Sequence, residues 1–380
     1  SNTAVGSDAL AANTTASNNT AVGKGALDAN TTGSANVAVG VDALGQNTTG
    51  SNSVAMGVGA LDANTTANSN TAIGKNALDA NTTGTLNTAV GAEALDANTT
   101  GSGNEAFGYG ALGNNTTGSP CTAIGTSTLS SNTTGGSNVG VGYQALSANT
   151  EGGNNTGLGR QALSSNTTGD SNTGVGYLAG RDCTTGAANV FVGDLAGQTL
   201  TTASRCVFIG NTSGAVGTVT SDKITAVGDN ACRNVASGDR ASAFGSEALM
   251  DLTTGTNNTG LGMGAGNNIT TGNENTCVGM TSGNDITTGG SNTCVGTSAG
   301  TGIGTGNNNT AIGKDATIDA SGRTRAVVLG QNLNSHSADN SFRVVGDGGV
   351  YNTGNTSSWN TTSDERIKKN IVDNTVGLVE

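Results

Sequence analysis

The sequence predicts an all-β fold, a parallel β-solenoid of the β-roll or β-helix kind, built from about twenty coils of equal length. One glycine recurs every seventeen positions, and residues of one type recur at fixed places beside it. The 380-residue chain has 63 Gly, 1 Pro and only 3% aromatic residues, so it must bury small side chains in a regular way. Apolar residues do not recur at i, i+3, i+4 and i+7, which disfavours helices.

The repeat is anchored by the motif Asn-Thr-Ala-Val-Gly. Its glycine recurs at 6, 23, 40, 57, 74, 91, 108, 125, 142, 159, 176, 193, 210, 228, 245, 262, 279, 296, 313 and 330. The interval is constant except between Gly210 and Gly228, where it is longer by one position. Such self-similarity is typical of repeat architectures and excludes the disordered chain that a Gly-, Asn-, Ser- and Thr-rich composition alone would allow.

Two apolar columns are the predicted core. The residue before each motif glycine is always large and apolar, and the next apolar column lies four positions after that glycine. The predicted core residues are Val5, Val22, Val39, Ile73, Leu10, Leu27, Leu44 and Leu61. The residue that precedes the valine column is usually Ala, which predicts a second, tightly packed face of the same strand. The leucine column changes mostly to Gly downstream, so the array has two subtypes that meet near residue 175.

Two kinds of corner are predicted in each coil. The motif glycines, beginning with Gly6, Gly23 and Gly40, form one corner, and Asn-Thr-Thr triplets with Asn30 and Asn47 form the other. Gly and Asn both tolerate the left-handed backbone that a sharp corner needs. Stacked Asn side chains are also expected to form amide ladders between coils. Each repeat is therefore predicted to contain a strand, a Gly corner, a second short strand and an Asn corner.

A single chain buries few large side chains in each coil, which barely offsets the conformational entropy lost when the whole coil becomes ordered. Contacts with other chains would supply the missing stabilisation. We therefore expect a homo-oligomer, most simply a homotrimer. The column of small Ala residues is the predicted surface of close chain approach.

Charge and motif content exclude several classes of function. The net charge is −12 and there is no basic stripe, so nucleic acid is not an expected partner. No apolar run reaches the ~18–20 residues that span a membrane, so membrane insertion is not expected. Sequences such as Gly157-Leu158-Gly159 are repeat corners without the strand–loop–helix context of a dinucleotide site. No cofactor, no metal site and no role for His336 is predicted.

Cysteine, aspartate and Asn-Thr-Thr columns leave alternatives open. The six Cys, at 121, 183, 206, 232, 277 and 294, replace small or framework residues, although Cys277 and Cys294 are close enough in register for a strained disulfide. Asp62, Asp79 and Asp96 form either a solvated corner or a calcium site. The Asn-Thr-Thr triplets match N-glycosylation sequons but are interpreted as corners.

The repeat resembles two known families. Its pattern Asn-Thr-Ala-Val-Gly…Ala-Leu…Asn-Thr-Thr-Gly-Ser, over residues 1–330, is similar to the head repeats of trimeric autotransporter adhesins, which form left-handed parallel β-rolls with a shorter coil. It is also similar to repeats of bacteriophage tail fibres. Residues 362–371, Thr-Ser-Asp-Glu-Arg-Ile-Lys-Lys-Asn-Ile, resemble the opening of the C-terminal intramolecular chaperone domain of phage tail spikes and fibres.

The second resemblance implies a role for two residues. That family trimerises its fibre and then cuts itself before a Ser, using this Ser and a Lys five positions later, here Ser363 and Lys368. The chemistry is sensible because a Lys with a lowered pKa can accept the Ser proton. The family's domain is far longer than the short segment 363–380 of this chain, so self-cleavage is not expected here.

The expected organisation has three parts. Residues 1–330 are the solenoid shaft, 331–362 a linker with a short β-hairpin, and 363–380 the truncated start of a chaperone domain. The hairpin is predicted from apolar–polar alternation around a Gly turn in residues 341–354.

The expected function is that of a structural virion fibre, a phage tail fibre shaft involved in host attachment, and not that of an enzyme beyond a single self-cleavage. Expected partners are further copies of the chain, other tail or fibre proteins, and a host cell-surface receptor or glycan. A bacterial trimeric surface adhesin is the first alternative. An ice-binding solenoid is a distant one, suggested by the threonine column Thr14, Thr31, Thr48, Thr65, Thr82 and Thr99. A glycan-cleaving tail spike is disfavoured because no pair of acids in a groove can be located.

Overall fold

The computed structural model describes residues 1–216, 219–318, 321–332, 339–345, 350–352 and 360–361. It confirms an all-β parallel solenoid of about twenty coils with 17-residue spacing, and no helix occurs among the described residues. The chain divides into two compact units, Ser1–Asp222 and Lys223–Glu380.

Each coil contributes one short strand, which ends just before the motif glycine except in β20, where it includes that glycine. In the first unit the strands are β1 (Thr3–Val5), β2 (Thr20–Val22), β3 (Val37–Val39), β4 (Val54–Met56), β5 (Thr71–Ile73), β6 (Thr88–Val90), β7 (Glu105–Phe107), β8 (Thr122–Ile124), β9 (Val139–Val141), β10 (Thr156–Leu158), β11 (Thr173–Val175), β12 (Val190–Val192) and β13 (Val207–Ile209). In the second unit they are β14 (Thr225–Val227), β15 (Ser242–Phe244), β16 (Thr259–Leu261), β17 (Thr276–Val278), β18 (Thr293–Val295), β19 (Thr310–Ile312) and β20 (Val327–Gly330). Three further strands follow the coils: β21 (Phe342–Val345), β22 (Val350–Asn352) and β23 (Asn360–Thr361).

Residues seventeen apart are stacked, as the repeat predicts. In the parallel pair β2–β3, Ala21 is opposite Ala38 and Val22 is opposite Val39. The register continues beyond the strands, because the Leu27 N–H donates to the Ala43 carbonyl of the next coil at 3.1 Å. Equivalent side chains therefore form columns along each unit.

The second strand predicted in each coil is absent from the described coils, and this expectation was wrong. After Gly23 the chain makes successive turns, in which Gly25 and Leu27 have φ values of 66° and 51°. Residues in this left-handed region interrupt an extended segment. The Asn30 N–H closes the turn by donating to the Leu27 carbonyl at 3.2 Å.

The alanine column faces the interior and the valine column faces outward, which corrects the predicted core. Val5, Val22 and Ile73 are 58%, 36% and 37% exposed, and Val39 is partly exposed. The predicted leucines are buried: Leu10, Leu27, Leu44 and Leu61.

The physical reason for this inversion is the width of the coil. Successive strand residues point to opposite sides, so only one of the two columns can face inward. The leucine column already fills that space. Where Gly174 takes the place of the inward Ala, an added Cβ would lie only 2.9 Å from Leu163 Cγ.

The two subtypes fill the same interior differently. In the downstream subtype a glycine replaces the left-handed Leu, and the vacated space is filled from neighbouring columns. Phe191 takes an inward alanine position, and its ring lies against Gly197 and stacks on Phe208 with centroids 6.2 Å apart. The corner Asn is replaced there by buried Cys183, Leu200, Val235, Leu252, Ile269, Ile286 and Ile303.

The segment for which the hairpin is predicted contains the paired strands β21 and β22. These strands are antiparallel, with Phe342 opposite Asn352 and Val344 opposite Val350. In addition, β20 pairs with β21 in parallel, so Val327 is opposite Phe342. The sheet of the second unit therefore continues from the repeats into the hairpin.

Candidate association surface

The asparagine of the Asn-Thr-Ala-Val-Gly motif joins each coil to the next. Asn87 illustrates the pattern: its Nδ2 donates to the Gly101 carbonyl at 2.8 Å, and its Oδ1 accepts the backbone N–H of Asn104 at 3.0 Å. Both ends of the buried amide are therefore used. Where Cys121 replaces this Asn, its thiol donates to the Gly135 carbonyl at 3.3 Å. This motif ladder was not predicted, although the fixed Asn before each strand was the signal for it.

The corner asparagines form the predicted amide ladder. Asn47 Nδ2 donates to Asn30 Oδ1 at 2.8 Å and to the Gly50 carbonyl at 3.0 Å. These amides are fully buried, which supports interpreting the Asn-Thr-Thr triplets as corners rather than glycan acceptors.

The predicted backbone conformation of the asparagine corners was wrong. Asn30 and Asn47 do not have left-handed backbone, and the neighbouring Leu27 and Leu44 do, each with φ of 51°. The glycine corners have the predicted positive φ, which is 133° at Gly6, 142° at Gly23 and 141° at Gly40.

Because the leucine column and the asparagine ladders fill the interior, the large apolar side chains before the motif glycines are left on the outside. We call this column the apolar stripe. In the first unit its exposed members are Val5, Val22, Met56, Ile73, Phe107, Ile124, Leu158 and Ile209. In the second unit they are Phe244, Leu261 and Ile312. No charged residue occurs in this column.

The strand face that carries the stripe in the first unit is large enough for a specific interface. The unit has thirteen strands, β1 to β13. At ~4.8 Å per coil and ~10 Å of strand length, the whole outward strand face, of which the stripe is one of two columns, covers roughly 600 Å². Two such faces would bury about 1,200 Å² in total, the lower end of stable protein–protein interfaces.

The threonine column proposed for ice binding is turned toward the protein. Thr31 Oγ1 donates to the Thr48 carbonyl of the next coil at 3.0 Å, and Thr48 and Thr82 make the same contact. These hydroxyls stabilise coil stacking. They do not form a free hydroxyl array on the surface.

The aspartate column is partly exposed. Burial raises the pKa of Asp62, Asp79 and Asp96, and the carboxylates of Asp79 and Asp42 raise that of Asp62 further. Among the described residues, no group of three or more His, Cys, Asp and Glu side chains is arranged to hold a metal ion. The structure therefore gives no support to the calcium alternative.

The six cysteines are all buried, as their interpretation as small-residue replacements predicts. Cys277 and Cys294 are opposite each other in β17 and β18 without a disulfide. A hydrogen bond between the two thiols, together with burial, raises the pKa of Cys277 well above its usual value. Burial raises the pKa of Cys183 to about 12. Such thiols stay protonated at neutral pH and are poor nucleophiles.

Ser363 and Lys368, the residues implied in self-cleavage, lie outside the described residues, as does His336. Within the part of the chain that the structure describes, no helix has the length and apolar character that crossing a membrane requires.

Comparisons of this chain with protein families, with curated proteins and with solved structures found no match.

Proposed function

We propose that the chain is the shaft of an extracellular attachment fibre, most specifically a phage tail fibre, and that three copies associate side by side along the apolar stripe. The observation that carries the proposal is the stripe itself. Every motif repeat has a large apolar residue at the same outward position, and no coil places a charge there.

A second copy of the chain is the partner that best fits such a surface. A solenoid with the same coil spacing presents an identical stripe in the same register. At every coil, the apolar residue of one copy therefore meets the equivalent residue of the other copy, as Ile73 would meet Ile73. Parallel copies related by a closed rotation bury the stripe completely, which satisfies the usual closed symmetry of homo-oligomers. The small alanine column is buried within each chain and does not contribute to this contact.

The virion assignment and the trimer number depend on residues 362–371. Their resemblance to the opening of a fibre chaperone supports a phage fibre, because that family trimerises its fibre and cuts itself at the position that Ser363 holds here. The repeats alone support a bacterial trimeric adhesin equally well. The bonds that the threonine hydroxyls make to the next coil give no support to ice binding.

The experiment is a mass measurement in solution. Light scattering coupled to size exclusion is expected to give three times the chain mass of 36.7 kDa. The double variant Ile73→Asp/Ile124→Asp places charges in the stripe of the first unit and is expected to shift the mass toward that of one chain. The matched control Thr83→Asp/Thr134→Asp changes exposed residues outside the stripe and should remain trimeric.

Far-UV circular dichroism of each variant shows whether the solenoid has formed. A wild-type chain that is folded and monomeric contradicts the proposal. A folded stripe variant that keeps the trimer mass contradicts the assignment of the contact to the stripe.

A further inference from the structure

A short row of side chains beside the apolar stripe of the first unit contains three tyrosines, one arginine and one threonine. It consists of the residue after the motif glycine in five successive coils: Tyr109, Thr126, Tyr143, Arg160 and Tyr177. The three tyrosines are 55%, 47% and 44% exposed. They recur every second coil, so consecutive tyrosines are roughly 9.6 Å apart along the unit.

The space between two consecutive tyrosines of the row is called an interval, and one of the two intervals already holds a cation. The Arg160 guanidinium lies between Tyr143 and Tyr177, with Cζ 5.9 Å from the first ring centroid and 5.6 Å from the second. Both distances are within the range of cation–π attraction. Two tyrosines separated by one coil therefore form a seat for a guanidinium.

The interval between Tyr109 and Tyr143 has the same backbone frame. The Ser127 N–H donates to the Tyr109 carbonyl at 2.9 Å, and the Gln144 N–H donates to the Thr126 carbonyl at 3.1 Å. The corresponding bonds of the filled interval, to the Tyr143 and Arg160 carbonyls, measure 2.9 and 3.1 Å. The two intervals differ in the central residue, because exposed Thr126 is too short to fill the space that Arg160 fills.

The charges around the unfilled interval are negative. Glu93 accepts a hydrogen bond from the Tyr109 hydroxyl, which raises the pKa of Tyr109. Glu105 accepts the Thr122 hydroxyl at 2.7 Å in the adjoining strands β7 and β8. The sequence has no Lys, Arg or His between Lys75 and Arg160. This segment of the first unit therefore attracts cations and offers none of its own.

We propose that Tyr109, Thr126 and Tyr143 form a binding slot for the guanidinium of an arginine side chain on a partner protein. The two rings provide cation–π contacts on either side, and the Glu93 carboxylate, hydrogen-bonded to the Tyr109 hydroxyl, adds a negative charge near the slot. The planar guanidinium is preferred over an ammonium because it stacks on aromatic rings, as Arg160 does in the neighbouring interval.

The test is a titration followed by NMR of the full chain carrying labelled tyrosine rings. The probes are Nα-acetyl-arginine amide, the uncharged analogue Nα-acetyl-citrulline amide and Nα-acetyl-lysine amide, at constant ionic strength. We expect saturable shifts at Tyr109 and Tyr143 with the arginine probe, with a dissociation constant on the order of tens of millimolar. The citrulline and lysine probes are expected to bind at least about fivefold more weakly.

The matched variants are Thr126→Arg, which places a guanidinium in the slot from within the chain, and Thr126→Gln, which adds length without charge. Thr126→Arg should abolish the shifts, Thr126→Gln should keep them, and the shift at Tyr177 should be smaller than at Tyr109. The proposal is overturned if no saturable shift occurs, if citrulline binds equally well, or if Thr126→Arg leaves binding unchanged. Equal binding of lysine overturns the preference for a guanidinium.

Discussion

At the residue scale, the motif asparagine is distinctive because one side chain both donates to and accepts from the next coil. The Asn87 amide is fully buried and bonds to two backbone groups. It shares the Gly101 carbonyl with the corner Asn98, whose Nδ2 donates to the same oxygen at 3.0 Å, and its Oδ1 accepts the Asn104 N–H. A buried polar group without a partner costs ~1–3 kcal/mol. The ladder therefore makes each coil dependent on its neighbour.

Asn87→Ala is expected to destabilise the first unit by about 1–3 kcal/mol, because it leaves the buried Asn104 N–H unpaired. Asn87→Cys should cost less, because a thiol can still donate, as Cys121 does to the Gly135 carbonyl. Urea unfolding followed by circular dichroism measures the difference in midpoint. Thr83→Ala, at an exposed corner, is the control and should unfold like wild type. Equal stability of Asn87→Ala and wild type would contradict the ladder's contribution.

At the element scale, the interior of a coil is shared by two columns whose sizes compensate. Upstream coils combine a small inward residue with Leu, as in Ala21 and Leu27. A downstream coil combines Phe191 with Gly197, and a Cβ on that glycine would collide with the Phe191 ring. Both combinations fill the same narrow space. The position four residues after the motif glycine accepts Leu or Gly because its φ is positive in both subtypes.

This compensation predicts coupling between Phe191 and Gly197. Phe191→Ala is expected to cost about 3–5 kcal/mol, because it leaves a cavity. Gly197→Leu alone should also be destabilising, because the new side chain meets the Phe191 ring. The double variant restores the upstream Ala–Leu combination and should lose less stability than the two single losses added together. A double-mutant cycle from denaturant unfolding measures the interaction energy between the two substitutions. Additive losses of stability would contradict shared filling of the interior.

The aspartate column predicts a dependence of stability on pH. A carboxyl whose pKa is raised by folding binds its proton more readily in the folded chain. The ionised carboxylates therefore destabilise the folded chain. This destabilisation is absent below the ordinary pKa of 3.8 and develops as the pH rises through the raised value. The triple variant Asp62→Asn/Asp79→Asn/Asp96→Asn is expected to raise the melting temperature at pH 7. The gain in unfolding free energy should be only a few tenths of a kcal/mol per site, because the carboxylates are partly exposed.

The advantage of the triple variant should disappear near pH 3. Glu151→Gln, at an exposed carboxylate outside the column, is the control for a general change in net charge. A triple variant that is less stable than wild type at pH 7 would contradict the sign of the effect.

At the scale of the whole molecule, the constant period of the repeat was sufficient to predict the solenoid, the stacked columns and the corner asparagine ladder. It was not sufficient to decide which side of the strand faces inward. Alternation states only that Ala21 and Val22 face opposite ways, and hydrophobicity favoured Val22. The decision depends on the width of the coil, which Leu27 and the asparagine amides already fill.

The missed turn had a signal in the sequence. A column that accepts both Leu and Gly indicates a positive φ, since Gly is preferred where that conformation is needed and Leu is retained only where its side chain fills the core. The slot at Tyr109 and Tyr143 could not be predicted from the sequence, because the placement of the Arg160 guanidinium between two rings is visible only in the structure.

The outward position of the apolar stripe has a consequence for folding as well as for association. If three chains bury their stripes together, folding and assembly are linked by mass action, so the unfolding midpoint must depend on protein concentration. For a trimer, a tenfold dilution lowers the stability of the assembly by about 2.7 kcal/mol per three chains.

We expect the thermal midpoint of the wild-type chain to fall measurably over a hundredfold dilution. Ile73→Asp/Ile124→Asp should have a lower midpoint that depends less on concentration, whereas Thr83→Asp/Thr134→Asp should follow wild type. A wild-type midpoint that is constant over this range, with reversible unfolding, would mean that each chain is stable alone with its stripe in water.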